Sequence, residues 1–452
     1  MNDVNISGSV QRRKWTTYQR YVIFLLLIVY TFNFIDRQIV TILSPAIKED
    51  LGLTDTELGL LKGLPFALFY AVFGFPIAWL ADRYSRSKII AAAIAVWSGM
   101  TVLCGLAQNY GQLLAARMGV GVGEAGCSPA AHSLISDYFP KEERASALGL
   151  YSLGISFGTL FGILLGGLIA DAYGWRWAFI VVGAPGIFMG LIVLLTLREP
   201  VRGAMDSKKA SGLSRAVKSV QADLRVSAAP PSSFKEALKT MVGIKSYVIL
   251  TISAALTAFC GYGLGLWIVD FLFRTHELGY RELTIPLSMC IGVGGGIGVV
   301  FGGYITDYLA RKSTRAYFSY PAYGHLISVP LFFAAVWVGS PMWCFIIFFF
   351  VFMLHSSVAG PYYALVQNLA PPQLRAFAAA LFMFVLSVIG LGLGPLYLGF
   401  LSDLWAPKMG EADALRWAIT TLGPIWALAS FIMLSGRNVL ETDLASRADQ
   451  DS

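Results

Sequence analysis

An acid and a base lie side by side within an apolar run, and this pair constrains the chain more than any other feature. The run covers residues 21–43 and contains Asp36 and Arg37, although it is long enough to cross a bilayer as one helix. A charge at that depth is costly, so it is rarely retained without a partner or a function. On a helix, Asn33 and Arg37 share a face that Asp36 borders. This polar stripe predicts either an ion pair between helices or a solute pathway, and we favour the pathway.

The composition indicates a membrane protein. The 452 residues are 56 % hydrophobic and 13 % charged, whereas about a quarter of the residues of a soluble domain are charged. The repeated apolar runs therefore exclude a soluble enzyme. The formal net charge is +7, but the basic residues lie between apolar runs, as in cytoplasmic membrane loops, so we expect no nucleic-acid partner. The five cysteines form no CxxC pair, so we expect no disulfide framework, no metal site and no cofactor.

We predict an all-α integral membrane protein with twelve transmembrane helices. Residues 199–245 form the longest polar segment, which predicts a cytoplasmic linker with a short amphipathic helix near residues 234–240. The linker separates a first six-helix bundle (18–198) from a second (246–436), with tails at 1–17 and 437–452. The predicted spans lie near residues 20–44, 58–80, 88–107, 112–136, 145–169, 176–197, 247–273, 284–307, 315–338, 342–369, 375–402 and 416–435.

The loop charges predict the orientation in the membrane. Residues 12–14 are basic and precede the first span, whereas segment 48–57 is mainly acidic. The positive-inside rule therefore places the N-terminus in the cytoplasm and segment 48–57 outside. An even number of spans returns the C-terminus to the cytoplasm. The one glycosylation sequon, at residues 5–7, then lies in the cytoplasm, so we expect a bacterial inner membrane. We also expect a monomer.

The two halves carry the same turn at the same place. Asp82, Arg83 and Arg86 follow the second span, and Asp307 and Arg311 follow the eighth. A repeated acid-then-base turn indicates duplication of a six-helix unit. Each aspartate would lie at a cytoplasmic helix end, where it could cap a helix of the opposite half and act as a gate. The alternative is that both turns are ordinary positively charged inner loops.

These turns resemble the loop motif of the major facilitator superfamily, and the resemblance extends over nearly the whole chain. Residues 117–123 resemble the fourth-helix motif of the superfamily. The resemblance implies two pseudo-symmetric six-helix bundles that work by alternating access. The glycines between Gly154 and Gly167 resemble a motif associated with antiporters, with Thr159 in place of its proline. Small residues at this spacing equally predict close helix packing.

Within this superfamily, the chain resembles the spinster-type transporters. The resemblance rests on Asn33, on the pair Asp36-Arg37, and on Glu124 within the segment 121–125. It implies transport of lipid-like amphiphiles such as sphingosine-1-phosphate and lysophospholipids. Sugar-acid and other organic-anion symporters of the superfamily share a similar Asp-Arg pair. A proton symporter for organic anions is therefore the alternative.

The fourth span carries a second polar face. At 1.5 Å per residue, Glu124 lies about 18 Å from the outer end of this span, and Asp36 about 24 Å from the cytoplasmic end of the first. We therefore expect Asp36, Arg37, Arg117 and Glu124 to cluster, and the sequence leaves open which acid pairs with which arginine. The residues of this face recur at every third or fourth position: Arg117, Gly121, Glu124, Ser128 and His132.

These residue types predict a proton switch beside an anion site. Burial favours a neutral carboxyl group and a nearby guanidinium favours its anion, so a cavity that opens and closes around Asp36 and Glu124 would let them bind and release a proton. Arginine stays protonated and suits carboxylate or phosphate, so Arg37 is the expected anchor of a substrate anion. His132 is either a proton relay or a core histidine, and the aromatic residues of the second half are either a cavity wall or ordinary packing. The other residues expected at the substrate site are Asn33, Arg117, Ser128, His132, Trp267, His355 and Tyr362.

Two other classes of protein were weighed. An intramembrane lipid-modifying enzyme would need a catalytic motif, and the sequence contains no HExxH. A sensor or channel would have no use for two symmetric gating turns. The sequence therefore favours a secondary transporter for a small-molecule or lipid-like anion, driven by protons.

Overall fold

The computed structural model describes residues 15–81, 83–202, 205 and 234–443. Most of the predicted linker, both ends of the chain and Asp82 lie outside these residues. The described residues contain no β-strand and form twelve helical rods, so the predicted all-α fold is confirmed. The rods are α1 (Thr17–Leu51), α2 (Asp55–Ala81), α3 (Arg86–Leu106), α4 (Tyr110–Glu124 and Cys127–Tyr138), α5 (Lys141–Tyr173), α6 (Trp175–Thr196), α7 (Lys245–His276), α8 (Tyr280–Ala310), α9 (Ala316–Trp337), α10 (Pro341–Leu369), α11 (Arg375–Val385, continued through Leu386–Leu393 and Gly394–Met409) and α12 (Glu411–Ser435).

Ten helices of the described chain are long and apolar enough to cross a membrane. The rods α4 and α9 complete the series, and α4 is the one that carries the predicted cluster of charges. A short helix, Phe234–Gly243, precedes α7 and buries Ala237 and Met241. It lies where the sequence predicts an amphipathic helix at the end of the linker.

The helix ends are fixed by capping residues rather than by hydropathy. The Thr16 side chain accepts a hydrogen bond from the Gln19 backbone N–H at the start of α1. The helix stops at Gly52, whose φ of 62° is left-handed and suits glycine. The predicted first span, 20–44, is therefore shorter than α1, because it follows the apolar segment and not the caps.

Within the first half, α1 packs along α5 and α3 packs along α6. Glycine makes the first of these contacts possible: a Cβ atom on Gly158 of α5 would lie 2.4 Å from Phe34 Cβ on α1. The glycines of α5 therefore serve close helix packing, one of the two interpretations that the sequence left open.

The two ends of the bundle are distinguished by their connections. The α1–α2 connection ends at Asp55, and we call this end the Asp55 side. The α2–α3 connection ends at Arg86 on the opposite end, which we call the Arg86 side. The helices α1–α6 form the first half of the molecule, and the helices α7–α12 form the second half.

Candidate functional site

Arg37 of α1 pairs with Glu124 of α4. The Arg37 Nε–H donates to Glu124 Oε2 at 2.5 Å. The Glu124 side chain is fully buried, whereas that of Arg37 is 21 % exposed. One member of the pair is therefore reachable by a solute and the other is not. This pairing answers the question that the sequence left open.

Aromatic rings lie close to the Arg37 guanidinium. Its Cζ atom lies 5.0–5.3 Å from the centroids of three rings, within the range of cation–π attraction. Arg37 thus combines a positive charge with an apolar frame. The rings belong to Phe34, Phe66 and Tyr70.

Asp36 lies behind this pair, without exposure to solvent. Neither of its carboxyl oxygens has a hydrogen-bond partner among the described residues. Arg117 of α4 donates to the backbone carbonyl of Asp36 at 3.3 Å, and its Nε–H has no acceptor within the described chain. The carboxyl group of Asp36 interacts electrostatically with both Glu124 and Arg117. Two acids and two bases therefore share one buried region, as predicted, but only one acid is ion-paired.

The same region holds other polar atoms without partners in the described structure. They include both polar atoms of the Asn33 amide and Oε1 of Glu124. Buried polar groups of this kind are normally satisfied, often by internal water. The cluster therefore offers buried hydrogen-bonding groups that internal water or a solute can satisfy.

The depth of Glu124 is fixed by how α4 packs. A Cβ atom on Gly123 would lie 2.6 Å from the Trp97 backbone nitrogen on α3, so only glycine allows this approach. The helical segment Tyr110–Glu124 ends at the acid itself, and the next begins at Cys127. Glu124 thus lies at a break in its helix, directed towards α1.

The second half contributes tyrosines opposite Arg37. Tyr262 of α7 is 43 % exposed and interacts electrostatically with Arg37. Tyr363 of α10 is 42 % exposed and interacts with Tyr262 and Tyr70. These side chains are exposed although they belong to the interior of the two-half assembly, so they line a cavity between the halves. One wall of the cavity carries the partly exposed Arg37 guanidinium, with the two acids buried behind it, and the other wall carries tyrosines.

Two predicted site residues of the second half do not line the cavity. Tyr362, next to Tyr363, is packed in the core of the second half. His355 lies against His325 and Trp426. Ser128 of α4 is half-buried and interacts with Tyr30, and His132 is in edge contact with the ring of Tyr151. Within the described residues, no three His, Cys, Asp or Glu side chains converge to hold a metal ion.

Asp55 joins the halves on the Asp55 side. Its carboxylate accepts two hydrogen bonds from the Arg274 guanidinium of α7, each 2.7 Å long. It also accepts from Ser402 of α11 at 2.6 Å. In return, Asp403 of α11 accepts from the Asp55 and Thr56 backbone N–H groups at 2.9 and 2.7 Å, and so caps α2 from the other half.

A second ion pair deepens this contact between the halves. Lys62 of α2 donates to Asp270 of α7 at 2.5 Å, and both side chains are fully buried. Ser44 of α1 donates to the same carboxylate at 2.7 Å. The Lys62 ammonium lies 4.0 Å from the ring centroid of Trp267, whose indole N–H donates to the Pro395 carbonyl. Trp267 therefore belongs to this contact and not to the cavity wall.

The sequence analysis did not single out Asp55 or Lys62. Lys62 is the one charged residue inside the predicted span 58–80, so the sequence does contain a signal that singles it out. A lone charge in an apolar span predicts a buried partner. The identity of the partner, in the other half, depends on the tertiary structure.

At the Arg86 side, the ion pairs between described residues stay within one half. Arg86 is buried and donates to Asp137 and Glu199 of the first half at 2.6 and 2.7 Å. In the second half, Arg315 pairs with Glu441. Every ion pair between the halves among the described residues lies at the Asp55 side. The molecule is thus closed by ion pairs at the Asp55 side.

Of the predicted gating residues, Asp82 lies outside the described residues. Arg83 is exposed and lies over the Trp79 ring at 3.8 Å. Asp307 and Arg311 are exposed and line a surface pocket of about 550 Å³ at the Arg86 side of the second half. Within the described structure, neither makes an ion pair with the first half.

Glu199 secures the turn that carries Arg86. It accepts from the Ser87 backbone N–H at 3.0 Å and from Arg86. Burial alone would raise the pKa of Glu199, but these hydrogen bonds outweigh burial and hold the pKa below its ordinary value. The turn therefore rests on an ionised carboxylate.

Comparison with known proteins gives consistent matches. Residues 26–395 match the family model of the Major Facilitator Superfamily. An MFS-type efflux pump of Mycolicibacterium smegmatis is 30 % identical over 415 residues, which cover 91 % of this chain and 89 % of that protein. A sphingosine-1-phosphate transporter of Danio rerio is 26 % identical over 454 residues, which cover 93 % of this chain and 83 % of that protein.

Among solved structures, the chain is similar to a bacterial homologue of the human lysosomal transporter Spinster, described in an inward-facing and unoccupied conformation. The TM-score is 0.80 at 29 % sequence identity, and the match covers 95 % of this chain and 99 % of that chain.

Proposed function

Because the chain belongs to the Major Facilitator Superfamily and is a spinster-type membrane transporter, we propose that it couples proton movement to the transport of an amphiphilic or lipid-like anion. The observation that carries this proposal is the environment of Arg37. Its partly exposed guanidinium lies between a fully buried carboxylate and an aromatic cavity. An amphiphilic anion presents the matching pair of features, a negative head and an apolar body.

Substrate and Glu124 would compete for the same guanidinium. Arg37 has further N–H donors besides the one that Glu124 accepts, and guanidinium binds carboxylate or phosphate in bidentate fashion. An anion that takes over Arg37 leaves Glu124 buried without its counter-charge. A proton on Glu124 removes that penalty, so binding of the anion and protonation favour each other.

Asp36 supplies the second proton site. It is buried, has no ion pair within the described chain, and interacts with Glu124 through space. Two acids in one pocket resist simultaneous ionisation, so a proton is shared between them in the resting state. Rearrangement of the cavity would move that proton between the two sides of the membrane.

In alternating access, the molecule would open at the Asp55 side while it closes at the Arg86 side, and then reverse. The Asp55 side is taken as the outer side, in keeping with the acidic loop 48–57 and the positive-inside rule. Closure at the Asp55 side leaves the site accessible from the cytoplasm. Both termini also lie in the cytoplasm. The membrane is a bacterial inner membrane. In the opposite state, Asp82 and Asp307 with the arginines that follow them would close the Arg86 side. We propose that the transporter works as a monomer, since both walls of the cavity come from one chain.

The alternative substrate class is a small organic anion such as a sugar acid. The two arginines and two acids suit a carboxylate as well. The rings of Phe34, Phe66 and Tyr70 favour the amphiphile, because they place apolar surface around the charge.

The test is flux into liposomes that contain the purified protein and carry an imposed pH gradient. Radiolabelled lysophosphatidate and glucuronate serve as the two probes. We expect lysophosphatidate to move with the gradient and a pH-sensitive dye to report accompanying proton movement. Transport of glucuronate alone would overturn the lipid-like substrate class. Flux of either probe that is independent of the gradient would overturn proton coupling.

A further inference from the structure

The buried pair Lys62–Asp270 lies between the cavity and the Asp55 side. Ser44, which donates to Asp270, follows Arg37 by seven residues on the continuous helix α1. Seven residues are close to two full turns, so Ser44 and Arg37 share a face of α1 and are about 10 Å apart along it. An anion that leaves Arg37 towards the Asp55 side therefore passes the Lys62–Asp270 pair. The function proposed above assigns no role to Lys62.

The contacts of the Lys62 ammonium come from the opposite half. Lys62 belongs to α2, and it donates to Asp270 of α7 at 2.5 Å with both side chains fully buried. The ring centroid of Trp267, also on α7, lies 4.0 Å from the ammonium. A buried charge that loses its partner is strongly destabilising. When the halves separate at the Asp55 side, Lys62 must therefore find a new partner or meet water.

The other charged groups of this contact keep a partner when the halves separate. Asp55 is also paired with Lys48 of its own half, at 2.9 Å. Asp270 keeps Arg274, which is one turn further along α7 and 3.9 Å away. Among the described residues, Lys62 forms its ion pair with Asp270 and with no acid of the first half. Separation of the halves therefore leaves Lys62 as the cation without a counter-ion.

We propose that Lys62 is a second anion-binding residue of the transport route, which exchanges Asp270 for the negative head of the substrate when the Asp55 side opens. In the closed state, the Asp270 carboxylate occupies the ammonium. In the open state, the ammonium faces the cavity, and the substrate anion takes the place of that carboxylate. This inference rests on the proposed function, in which an anion is moved by alternating access.

Competition for the Lys62 ammonium would link substrate binding to opening. A hydrogen bond between Lys62 and the anion exists only when the Asp55 side is open, so the anion stabilises the open state. By reciprocity, opening raises the affinity for the anion by the same factor. After the anion leaves, the Lys62–Asp270 pair forms again and closes the Asp55 side.

The chain offers a way to hold the Asp55 side open without changing a charge. A Cβ atom on Gly399 of α11 would overlap the backbone carbonyl oxygen of Asp55 in the other half. A tryptophan side chain at this position cannot fit unless the halves separate. Gly59 of α2 makes a similar approach, since its Cβ atom would lie 2.6 Å from the Pro395 carbonyl oxygen of α11. Gly399→Trp is therefore the open background, and Gly59→Trp replaces it if Gly399→Trp does not fold.

The experiment measures equilibrium binding of radiolabelled lysophosphatidate and glucuronate to the protein in lipid nanodiscs, in the native and the Gly399→Trp backgrounds. Asp270→Asn is compared with Asp270→Asn/Lys62→Met, because neither variant leaves a buried carboxylate without its partner. Lys62→Arg keeps the positive charge. The matched control is Arg281→Met. Arg281 also pairs with the other half on this side, with Asp171 at 2.7 Å, but its side chain is 84 % exposed.

We expect the effect of Lys62 to depend on which side is open. In the Gly399→Trp background, Asp270→Asn should bind the probe at least as tightly as before, because the competing carboxylate is gone. Adding Lys62→Met should weaken binding about tenfold or more, which is the loss expected for one hydrogen bond between charged groups. Lys62→Arg should bind within about threefold of its parent, and Arg281→Met should leave binding unchanged.

In the native background, the Asp55 side is closed and Asp270 occupies Lys62. The double variant Asp270→Asn/Lys62→Met should therefore bind within about threefold of the wild type. A loss of similar size in both backgrounds would overturn the inference, because it would make Lys62 a structural residue.

The remaining outcomes separate this inference from the function on which it rests. Binding in the open background that is lost with Arg37→Ala but is not weakened by Lys62→Met would overturn the inference and leave the proposed function intact. Binding of glucuronate alone, with the expected dependence on Lys62, would support the inference and overturn the lipid-like substrate class. If neither probe binds any variant, the anionic substrate class is wrong, and the inference is wrong with it.

Discussion

Arg37 donates to Glu124 of α4 across 2.5 Å, although Asp36 is its neighbour in the chain. The consequence is a division of labour between the two acids. Glu124 holds the guanidinium that faces the cavity, and Asp36 is left as a buried acid whose oxygens have no hydrogen-bond partner among the described residues.

Arg37→Ala should lose both substrate affinity and stability. The variant leaves Glu124 buried without its partner, and breaking a buried ion pair in this way costs about 3–5 kcal/mol. The thermal unfolding temperature, measured in detergent at neutral pH, should therefore fall. The double variant Arg37→Ala/Glu124→Gln removes the orphaned charge and should recover most of the lost stability. A double variant as unstable as the single one would contradict the pairing as the source of the loss.

Arg274→Met should weaken the closure at the Asp55 side. It removes two hydrogen bonds between charged groups, each worth about 1.5–3 kcal/mol, so the population of molecules open at that side should rise tenfold or more. Distances between nitroxide labels on the two halves at the Asp55 side, measured by pulsed electron spin resonance, should become longer.

The control for this closure is Arg176→Met. Arg176 pairs with Asp50 at 2.7 Å on the same side, but both belong to the first half and both are exposed. Its loss should leave the distance distribution unchanged. Equal effects of the two variants would mean that the Arg274 contact is not a latch between the halves.

Glu199 should make stability depend on pH in the acid range. A carboxylate whose pKa is lowered by folding stabilises the protein above its ordinary pKa of about 4.3, and this contribution is lost as the pH falls through the lower folded-state pKa. Glu199→Gln should lower the unfolding temperature at neutral pH and flatten its decline in acid. Glu277→Gln, an exposed substitution at the opposite end of the bundle, should keep the wild-type slope. Parallel slopes for the wild type and Glu199→Gln would refute this role.

Much of the architecture follows from the sequence, because a bilayer demands long apolar helices and loop charges mark their ends. The cluster of Asp36, Arg37, Arg117 and Glu124 was also predictable, since helical spacing places each set on one face at similar depth. The pairing was not, because helical spacing alone does not say which acid of the cluster each arginine contacts.

Contacts between the halves could not be predicted for a different reason. The partners Lys62 and Asp270 lie in separate bundles, and no local periodicity relates them. Likewise, Tyr362 and Tyr363 differ by about 100° around the same helix, so small differences in packing decide which one faces the cavity. The predicted gating turns would close the Arg86 side, whereas the structure is closed at the Asp55 side.

The central claim is that Asp36 and Glu124 carry the coupled proton, and comparing two kinds of flux in liposomes tests it most directly. One is lysophosphatidate transport driven by a pH gradient, and the other is exchange of labelled for unlabelled lysophosphatidate without a gradient. For Asp36→Asn and Glu124→Gln, we predict that gradient-driven transport is lost and that exchange survives, because exchange requires no change in protonation. Normal gradient-driven transport in both variants would contradict the account and leave the two acids with a structural role only.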